Sequence, residues 1–458
     1  MGNVKTIEER KSTPVKLECD VLVAGGGTSG IVAALAAARN DARTVLVERY
    51  GHLGGTMIHG AGPLHSFFNL WKAFPGVAKK QVVKGIAQEI VDRMVAAGGS
   101  LGHVEMEQGY KYDSVATIID REVFKAVAFD MFKEAGITLL LHTLVVDAVM
   151  EDKSLKGIIV ESKSGREALL ARTTIDTSGD ADVAFRAGVK CFGTKRAAAM
   201  PFGMANVDLK KAVAFFKEQG MLTDLAHADK GSERDDIVRI GFDIRKLDVF
   251  SEIIKKIAYW GGPLTISCHE NDLGFINITN TKPMNAVDTG ELTRAEIELR
   301  EQVMGMAQLM KQHIPGFEKA YLSWTPTQFG ARRSRIVDCE YDLSLADIIE
   351  AKRFDDEVAL YGFHDLAPEI MIKDGQAYGI PYRALLPRGV DNLLVAGRLI
   401  TTAHKAHQST RNTVSCMAQG QAVGTAAALC SRLKVTPRAL DPKLLRETLV
   451  RDGAYLGD

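Results

Sequence analysis

The stretch from Cys19 to Gly51, CDVLVAGGGTSGIVAALAAARNDARTVLVERYG, decides the fold. It opens on a run of Val and Leu that reads as a buried parallel strand and ends in Gly25, Gly26 and Gly27. An alanine-rich segment from Thr28 to Asn40 follows, as expected of a helix lying close against a sheet. ARTVLVERYG supplies a second strand, so residues 19–48 read as strand, glycine turn, helix and strand, a right-handed βαβ unit. Within it Gly25, Gly27 and Gly30 spell G-x-G-x-x-G at the junction of strand and helix. The first glycine permits the tight turn, the second lets backbone approach a pyrophosphate, and the third lets helix pack on strand. The helix N-terminus then offers N–H groups to the anion. Glu48 stands at the end of the second strand, where a carboxylate accepts hydrogen bonds from a ribose diol.

Working outward, Asp120 to Gly136 has apolar residues at helical spacing. ITLLLHTLVVDAVME, LKGIIVES and EALLARTTIDTSG then read as successive strands of a small β-meander. Residues 185–370 are less patterned, with a long helix expected over Thr293 to His313 and an amphipathic one around Lys210 to Gly220. NLLVAGR reads as another buried strand, and NTVSCMAQGQAVGTAAALCSRL as a small-residue helix like the first. Residues 1–18 read as a loose arm. The two ends of the chain share one pattern that the middle lacks, which predicts a discontinuous nucleotide-binding domain with a second domain inserted into it.

Composition narrows the function. The 458 residues carry 57 basic against 57 acidic side chains, without the surplus of Lys and Arg that neutralises nucleic-acid phosphates. The 6 cysteines are scattered without a CxxC pair, which predicts free thiols and no metal site. The first residues lack the apolar core of a signal peptide, and no run approaches ~18 uncharged apolar residues. A cytoplasmic protein without stable membrane insertion is expected. Gly2 and Thr6 fit the myristoylation pattern, but no polybasic patch supports it and we read it as chance.

Arg49-Tyr50-Gly51-His52-Leu53-Gly54-Gly55-Thr56 follows the acid directly, and its glycines would let the chain run close to a diphosphate and a flat isoalloxazine. With this block, residues 19–62, Ile175 to Ala184 (IDTSGDADVA) and Gly379 to Leu429 resemble the FAD-dependent oxidoreductases of the glutathione reductase-like superfamily. Within it they look most like the subfamily named only FAD-dependent oxidoreductase. The resemblance implies an α/β fold: a discontinuous Rossmann FAD-binding domain with β-meander and an inserted α+β substrate domain. Its segments would be 15–70, 119–190 and 376–440, with a cap over 71–118, the substrate domain over 191–375 and a tail over 441–458.

The resemblance also implies roles. Gly25, Gly27, Thr28, Ser29 and Gly30 would hold the FAD diphosphate, Glu48 with Arg49 the adenosine ribose, and Gly54, Gly55 and Thr56 the ribityl and flavin region. Asp176, Ser178, Gly179 and Asp180 match the turn that closes over the adenine side. Gly397 and Arg398 end a strand that in many relatives closes in Gly-Asp, and Arg398 departs from that wider pattern. Gln419, Gly420, Gln421, Ala422 and Gly424 would form a helix N-terminal region aimed at the flavin pyrimidine. His404, His407 and Arg411 are the catalytic candidates: an Arg to stabilise charge on reduced flavin and a His to carry the accompanying proton. The alternative for the two histidines is helix capping or bonding to backbone carbonyls. Arg332, Arg333 and Arg335 would bind a substrate carboxylate or form ion pairs with Asp338, Glu340 and Asp342. His59, His65, Arg332 and Tyr382 are substrate-pocket candidates.

No C-x4-C redox pair stands near the first strand, which argues against disulfide-reductase chemistry, and no second G-x-G-x-x-G marks an NAD(P)H domain. The expected activity is hydride transfer between a small-molecule C–H, C=C or C–OH group and the flavin. Electrons then pass through the substrate, a separate electron-transfer partner, oxygen or a quinone, and a homo-oligomer is compatible with this. The alternatives are a flavin monooxygenase and a non-catalytic FAD-binding subunit.

Overall fold

Strand β1, Val15–Ala24, begins before the apolar run does, because Val15 and Leu17 already pair with Ala168 and Leu169. The loose arm is correspondingly shorter. The chain turns into α1, Thr28–Arg39, and returns as β2, Thr44–Val47, parallel to β1. The structure, a computed structural model, describes residues 6–60, 64–106, 114–227, 238–257, 264–266 and 272–457. Gly2 and Cys268 lie outside the described residues.

Helix α2, Ile86–Ala96, and helix α3, Arg121–Glu134, come next; Asp120 caps α3 by accepting from the Glu122 and Val123 N–H groups. The apolar run after α3 is two strands and not one. It breaks at His142, which has φ of +51° and donates its N–H to the Tyr50 carbonyl. On one side of the break, β3, Thr138–Leu140, joins β2 in parallel. On the other, β4, Leu144–Glu151, starts an antiparallel meander with β5, Ser154–Ser162, and β6, Gly165–Asp176. The far half of β6 lies parallel to β1, giving the order β3-β2-β1-β6-β5-β4.

A second sheet occupies the middle of the chain. It contains β7, Phe202–Ala205, then, after helix α4, Leu209–Glu218, the strands β8, Leu222–His227, β9, Val238–Phe242, β10, Leu264–Ile266, and β11, Asp272–Asn277. Helix α5, Thr289–His313, precedes its last strand, β12, Tyr321–Trp324. All pairings are antiparallel, in the order β8-β9-β10-β11-β7-β12. Phe202, Phe216, Phe242, Leu299 and Met306 form its own buried core. The chain then rejoins the first sheet with β13, Leu393–Val395, parallel to β6, and continues into α6, His404–Thr410, α7, Thr413–Leu433, and α8, Pro442–Arg451.

Three expected boundaries shift. Within the expected 71–118 cap, Ile86, Ile90, Val91 and Met94 of α2 lie in the core of the first sheet. The second core stops near Phe329, and Val337, Leu343, Ile348 and Val358 return to the first core well before residue 375. The 441–458 segment is no tail, because α8 buries Leu445 and Leu449 in that same core. In each case apolar side chains at helix or strand spacing face the larger sheet, and burial there outweighs position in the chain.

Helices α1 and α7 cross with backbones in contact. A Cβ on Gly420 would collide with the Ser29 carbonyl oxygen, and one on Gly424 with that of Ala33. Gly424→Val is therefore expected to cost roughly 1–3 kcal/mol of stability. Denaturant unfolding reads this as a lowered midpoint, and an unchanged midpoint would refute the contact.

Candidate functional site

The site begins at the turn after β1. Gly25 has φ of +104°, a conformation that suits glycine, and donates its N–H to the Val47 carbonyl at 2.9 Å. A Cβ on Gly30 would strike the Gly25 carbonyl oxygen, so the first turn of α1 lies against the glycine turn. Helix α1 has no side-chain cap, which leaves its first N–H groups open. In front of them a cleft encloses about 1060 Å³ of space continuous with solvent. Gly27 faces it, and a Cβ there would meet nothing within 4 Å.

Glu48 ties the second strand to this turn. Its buried carboxylate accepts from the Gly26 N–H at 2.6 Å and the Tyr50 N–H at 3.0 Å, and it lines the cleft. Gly54 donates to the Gly26 carbonyl at 2.8 Å, and a Cβ on Gly55 would press on the Gly27 Cα, so the second glycine pair lies on the first. Thr28, Ser29, Arg49, Gly55 and Thr56 also line the cleft.

Opposite them stand Ser178, Gly179, Gly397 and Arg398. Asp176 lies behind this turn: buried, it accepts from the Ser178, Val183 and Ala184 N–H groups and organises the loop. Asp180 accepts from the Ser334 hydroxyl at 2.5 Å and from Arg398 Nη2 at 2.7 Å, and so orients Arg398. The other terminal nitrogen of Arg398, Nη1, is buried and unpartnered among the described residues.

Several expected site residues are elsewhere. Helix α7 starts at Thr413, so Gln419, Gly420 and Ala422 lie in its buried middle and not at a cofactor-facing N-terminus. Gly420 is there for the contact with α1. Gln419 accepts from the Gly397 N–H at 2.8 Å and donates to the Thr410 carbonyl at 2.8 Å, supporting the cleft from behind. The residues at the helix start that line the cleft are Asn412 and Thr413, again without a side-chain cap.

His407 is buried and bonds through Nε2 to the Arg398 carbonyl at 2.8 Å, so the backbone-bonding alternative holds for it. Burial and the Arg411 charge push its pKa well below the usual value. His404 is exposed at the start of α6, outside the cleft lining. Arg411 does line the cleft, with its guanidinium bonded to Asp365 and to Gln408 Oε1. Tyr382 is buried away from it and donates to the Pro437 carbonyl at 2.9 Å. His65 is buried opposite Thr117 and is not among the lining residues.

Arg332 lines the cleft, while its neighbours serve the scaffold. Arg333 donates to the Thr401 and Thr402 carbonyls, and Arg335 pairs with Asp182 at 3.2 Å and lies over the Phe185 ring. The expected partners are otherwise engaged: Asp338 with Lys190 and Arg388, Glu340 with Arg438, and Asp342 with Thr402.

Sequence reasoning missed an aromatic group. Tyr50, His52 and His59 pack together, with the His52 and His59 ring centroids 5.0 Å apart, and Tyr50 donates to Gln328 Oε1. His59 Nδ1 lies 2.8 Å from the Thr327 hydroxyl, and its buried Nε2 has no partner among the described residues. Burial first, and then His52, Arg49 and Lys125 nearby, push its pKa down to about 3, so the imidazole is neutral near neutral pH. Gln328 carries no local signal, because only the return from the second sheet brings it to Tyr50.

The profile of the FAD dependent oxidoreductases matches residues 20–449. The chain belongs to that family. FAD is accordingly its cofactor, and the cleft fits it: open helix N–H groups, a glycine facing empty space, and an unpaired guanidinium nitrogen. A digeranylgeranylglycerophospholipid reductase of Methanothrix thermoacetophila is 31% identical over 144 residues, 31% of this chain and 34% of that protein. A thiamine thiazole synthase of Pyrococcus horikoshii is 30% identical over 144 residues, 31% of this chain and 47% of that one. The chain thus matches between about a third and a half of these relatives' length. Among solved structures, a geranylgeranyl bacteriochlorophyll reductase-like protein of Thermoplasma acidophilum aligns with a TM-score of 0.45 at 12% identity, over 95% of this chain and 84% of that one. Among the described residues no helix is long and apolar enough to cross a membrane.

Two outcomes are expected. Gly27→Val should fold with a near-normal melting temperature, since its side chain enters empty space, yet be purified without FAD; full flavin occupancy would contradict the site. His65, whose pKa burial lowers to about 4, binds its proton more readily when unfolded, near 6.5. Its contribution to stability is present above about pH 6.5 and lost toward pH 4. Thermal melts of His65→Gln across that window should fall less steeply than wild type, and parallel slopes would refute this.

Proposed function

We propose that the protein transfers a hydride between flavin N5 and a carbon of a small-molecule substrate, of the C–H, C=C or C–OH type. The observation that carries this reading is that two uncapped helix N-termini, those of α1 and α7, open on one cleft that Glu48 closes at the adenosine side. When bound, FAD supplies the two-electron acceptor, a centre that takes up a hydride and acquires negative charge on its pyrimidine edge.

The chain's own groups divide the remaining work. The N–H groups of Gly27 to Gly30 bind the diphosphate with the α1 dipole behind them. Glu48 accepts from the ribose hydroxyls, held for that purpose by the Gly26 and Tyr50 amides. Arg398 offers its unpaired Nη1 to the ribityl or diphosphate oxygens. The Asn412–Thr413 end of α7 and the guanidinium of Arg411 face the developing negative charge, where fixed dipoles and an ion pair cost little reorganisation. His59, neutral and with Nε2 unpartnered among the described residues, can orient a substrate group by a hydrogen bond at that atom.

The order of the first sheet, with an antiparallel meander beside parallel strands, supports the glutathione reductase-like arrangement. The second sheet, entered after β6 and left before β13, supports an inserted substrate-side domain that brings Gln328 and Arg332 to the cleft.

An anaerobic screen of candidate metabolites for bleaching of the visible flavin band tests the reading. Purified protein should be yellow, release FAD on denaturation and bleach with its substrate. A colourless protein that fails to bind added FAD would overturn it. Arg411→Ala should keep FAD and slow that bleaching by roughly a hundredfold, the size of a lost electrostatic contact to developing charge; an unchanged single-turnover rate would refute the role of Arg411.

A further inference from the structure

Beside the cleft, arginines from separate stretches of chain are gathered, and negative charge offsets them only in part. Arg196 ends the short strand Lys195–Arg196, which pairs with Met284 and Asn285. The preceding strand, Cys191–Gly193, runs antiparallel to Arg335–Val337, and Thr194 donates to the Ser334 carbonyl at 2.9 Å. Continued by two residues beyond Thr194, this register sets Lys195 opposite Arg333 and Arg196 opposite Arg332, and the Ala199 to Gly330 bridge closes the same run. Arg333 donates into the Thr401 and Thr402 carbonyls, directly before α6, the helix that ends at Arg411. Arg196, Arg333 and Arg411, from three separate stretches of chain, thus lie near enough for their charges to act on one another, and Arg411 with Arg332 lines the cleft beside them.

The bonds these cations make leave part of their charge unanswered. Arg411 has Asp365, and Asp342 offsets part of the charge on Arg333. Arg196 has neither ion pair nor hydrogen bond among the described residues. Arg333 is 4% exposed, bonds only to neutral carbonyls, and keeps its Nε buried and unpartnered. The segment that receives it is also unusual: Thr401, a branched residue, has φ of +76°, and its hydroxyl is buried without a partner.

The guanidinium groups feel each other. Burial and then the Arg411 charge lower the pKa of Arg196; burial and then the Arg196 charge lower that of Arg333. His404, exposed yet partly desolvated by its neighbours, is pushed down to about 4 by that desolvation and by the charges of Arg196, Arg333, Arg411 and Lys405. A fold gains nothing from such repulsion, and unpaired buried donors cost it free energy. Sites of this kind persist where a ligand completes them.

We propose that the substrate is a small dianion, bearing two carboxylates or a phosphate, whose negative groups are taken by Arg196, Arg333 and Arg411 at the open end of the flavin cleft. This rests on the proposed oxidoreductase reading, since it names the substrate class for the same site. Planar guanidinium groups suit either anion through paired N–H donors. A neutral isoprenoid or an amine would leave the cluster uncompensated.

The test uses the purified FAD-loaded protein at constant ionic strength, titrated with sodium succinate, inorganic phosphate and neutral succinamide, with melting temperature and flavin absorbance followed together. Succinate, phosphate or both should raise the melting temperature saturably, beyond the sodium chloride control, and succinamide should not. The tighter of the two anions tells carboxylate from phosphate recognition. Arg196→Gln should weaken that binding by roughly tenfold or more, as expected for a lost charged hydrogen bond. It should leave the unliganded melting temperature unchanged or raised, because Arg196 bonds to nothing and its charge repels its neighbours. Arg333→Gln should weaken binding likewise and also lower stability through the lost carbonyl contacts.

Failure of both dianions to exceed the chloride control, or wild-type affinity in Arg196→Gln, overturns the proposal. Flavin released from the same samples separates the two readings. Yellow protein without dianion binding sinks the dianion site alone, whereas colourless protein that binds the dianion sinks the FAD reading alone.

Discussion

The first turn of α1 is clasped on its sides so that its end stays free, and the rest of the molecule is arranged around that constraint. The Gly25 carbonyl presses on Gly30 from the β1 side, and the backbone of Gly420 meets the Ser29 carbonyl from α7. A Cβ on Gly397 would come within 2.9 Å of the Ser29 hydroxyl. Any side chain at these points would push the helix away from the sheet or from α7. With them absent, the N–H groups of the turn are presented to the cleft by backbone held in van der Waals contact, at little entropic cost on binding.

That clasp explains why the two ends of the chain must meet. β1 and β2 supply the turn and Glu48, whereas β13 and α7 supply the wall behind Ser29 and the second open helix end. The middle of the chain contributes the side chains that differ in kind: Gln328, Arg332 and the arginines grouped with Arg196. The cleft therefore has backbone amides along one part of its lining and the guanidinium groups of Arg332, Arg398 and Arg411 along another. His59 in the lining and His407 behind it stay neutral because burial disfavours their charged form. Positive charge at the substrate end comes from arginine, whose charge persists at any physiological pH.

What was legible in the sequence was local. The βαβ unit, Glu48 and the glycine pair at Gly54 and Gly55 are decided within thirty or so residues by periodicity and turn chemistry, and all come together in the structure. Gly420 and Gly424 were misread because a glycine for helix packing and a glycine for cofactor approach look alike in one dimension; only the start of α7 at Thr413 separates them. The break at His142 hides in a continuous apolar run, since a positive φ at one residue leaves no compositional trace. Arg333 and Arg335 look suited to the nearby acids, yet their partners are the Thr401 and Thr402 carbonyls and Asp182, brought in from distant strands. The Tyr50–His59–Gln328 contact is likewise a product of tertiary return.

We propose that this turn and Glu48 hold the adenosine diphosphate half of a dinucleotide flavin. Equilibrium titration of the deflavinated protein with FAD and with FMN, which carries the same isoalloxazine but lacks the adenylate, tests it most directly. FAD should bind tightly and FMN weaker by at least a hundredfold, with Glu48→Ala narrowing the gap from the FAD side. Equal affinity for the two flavins, or a gap untouched by Glu48→Ala, would contradict the account.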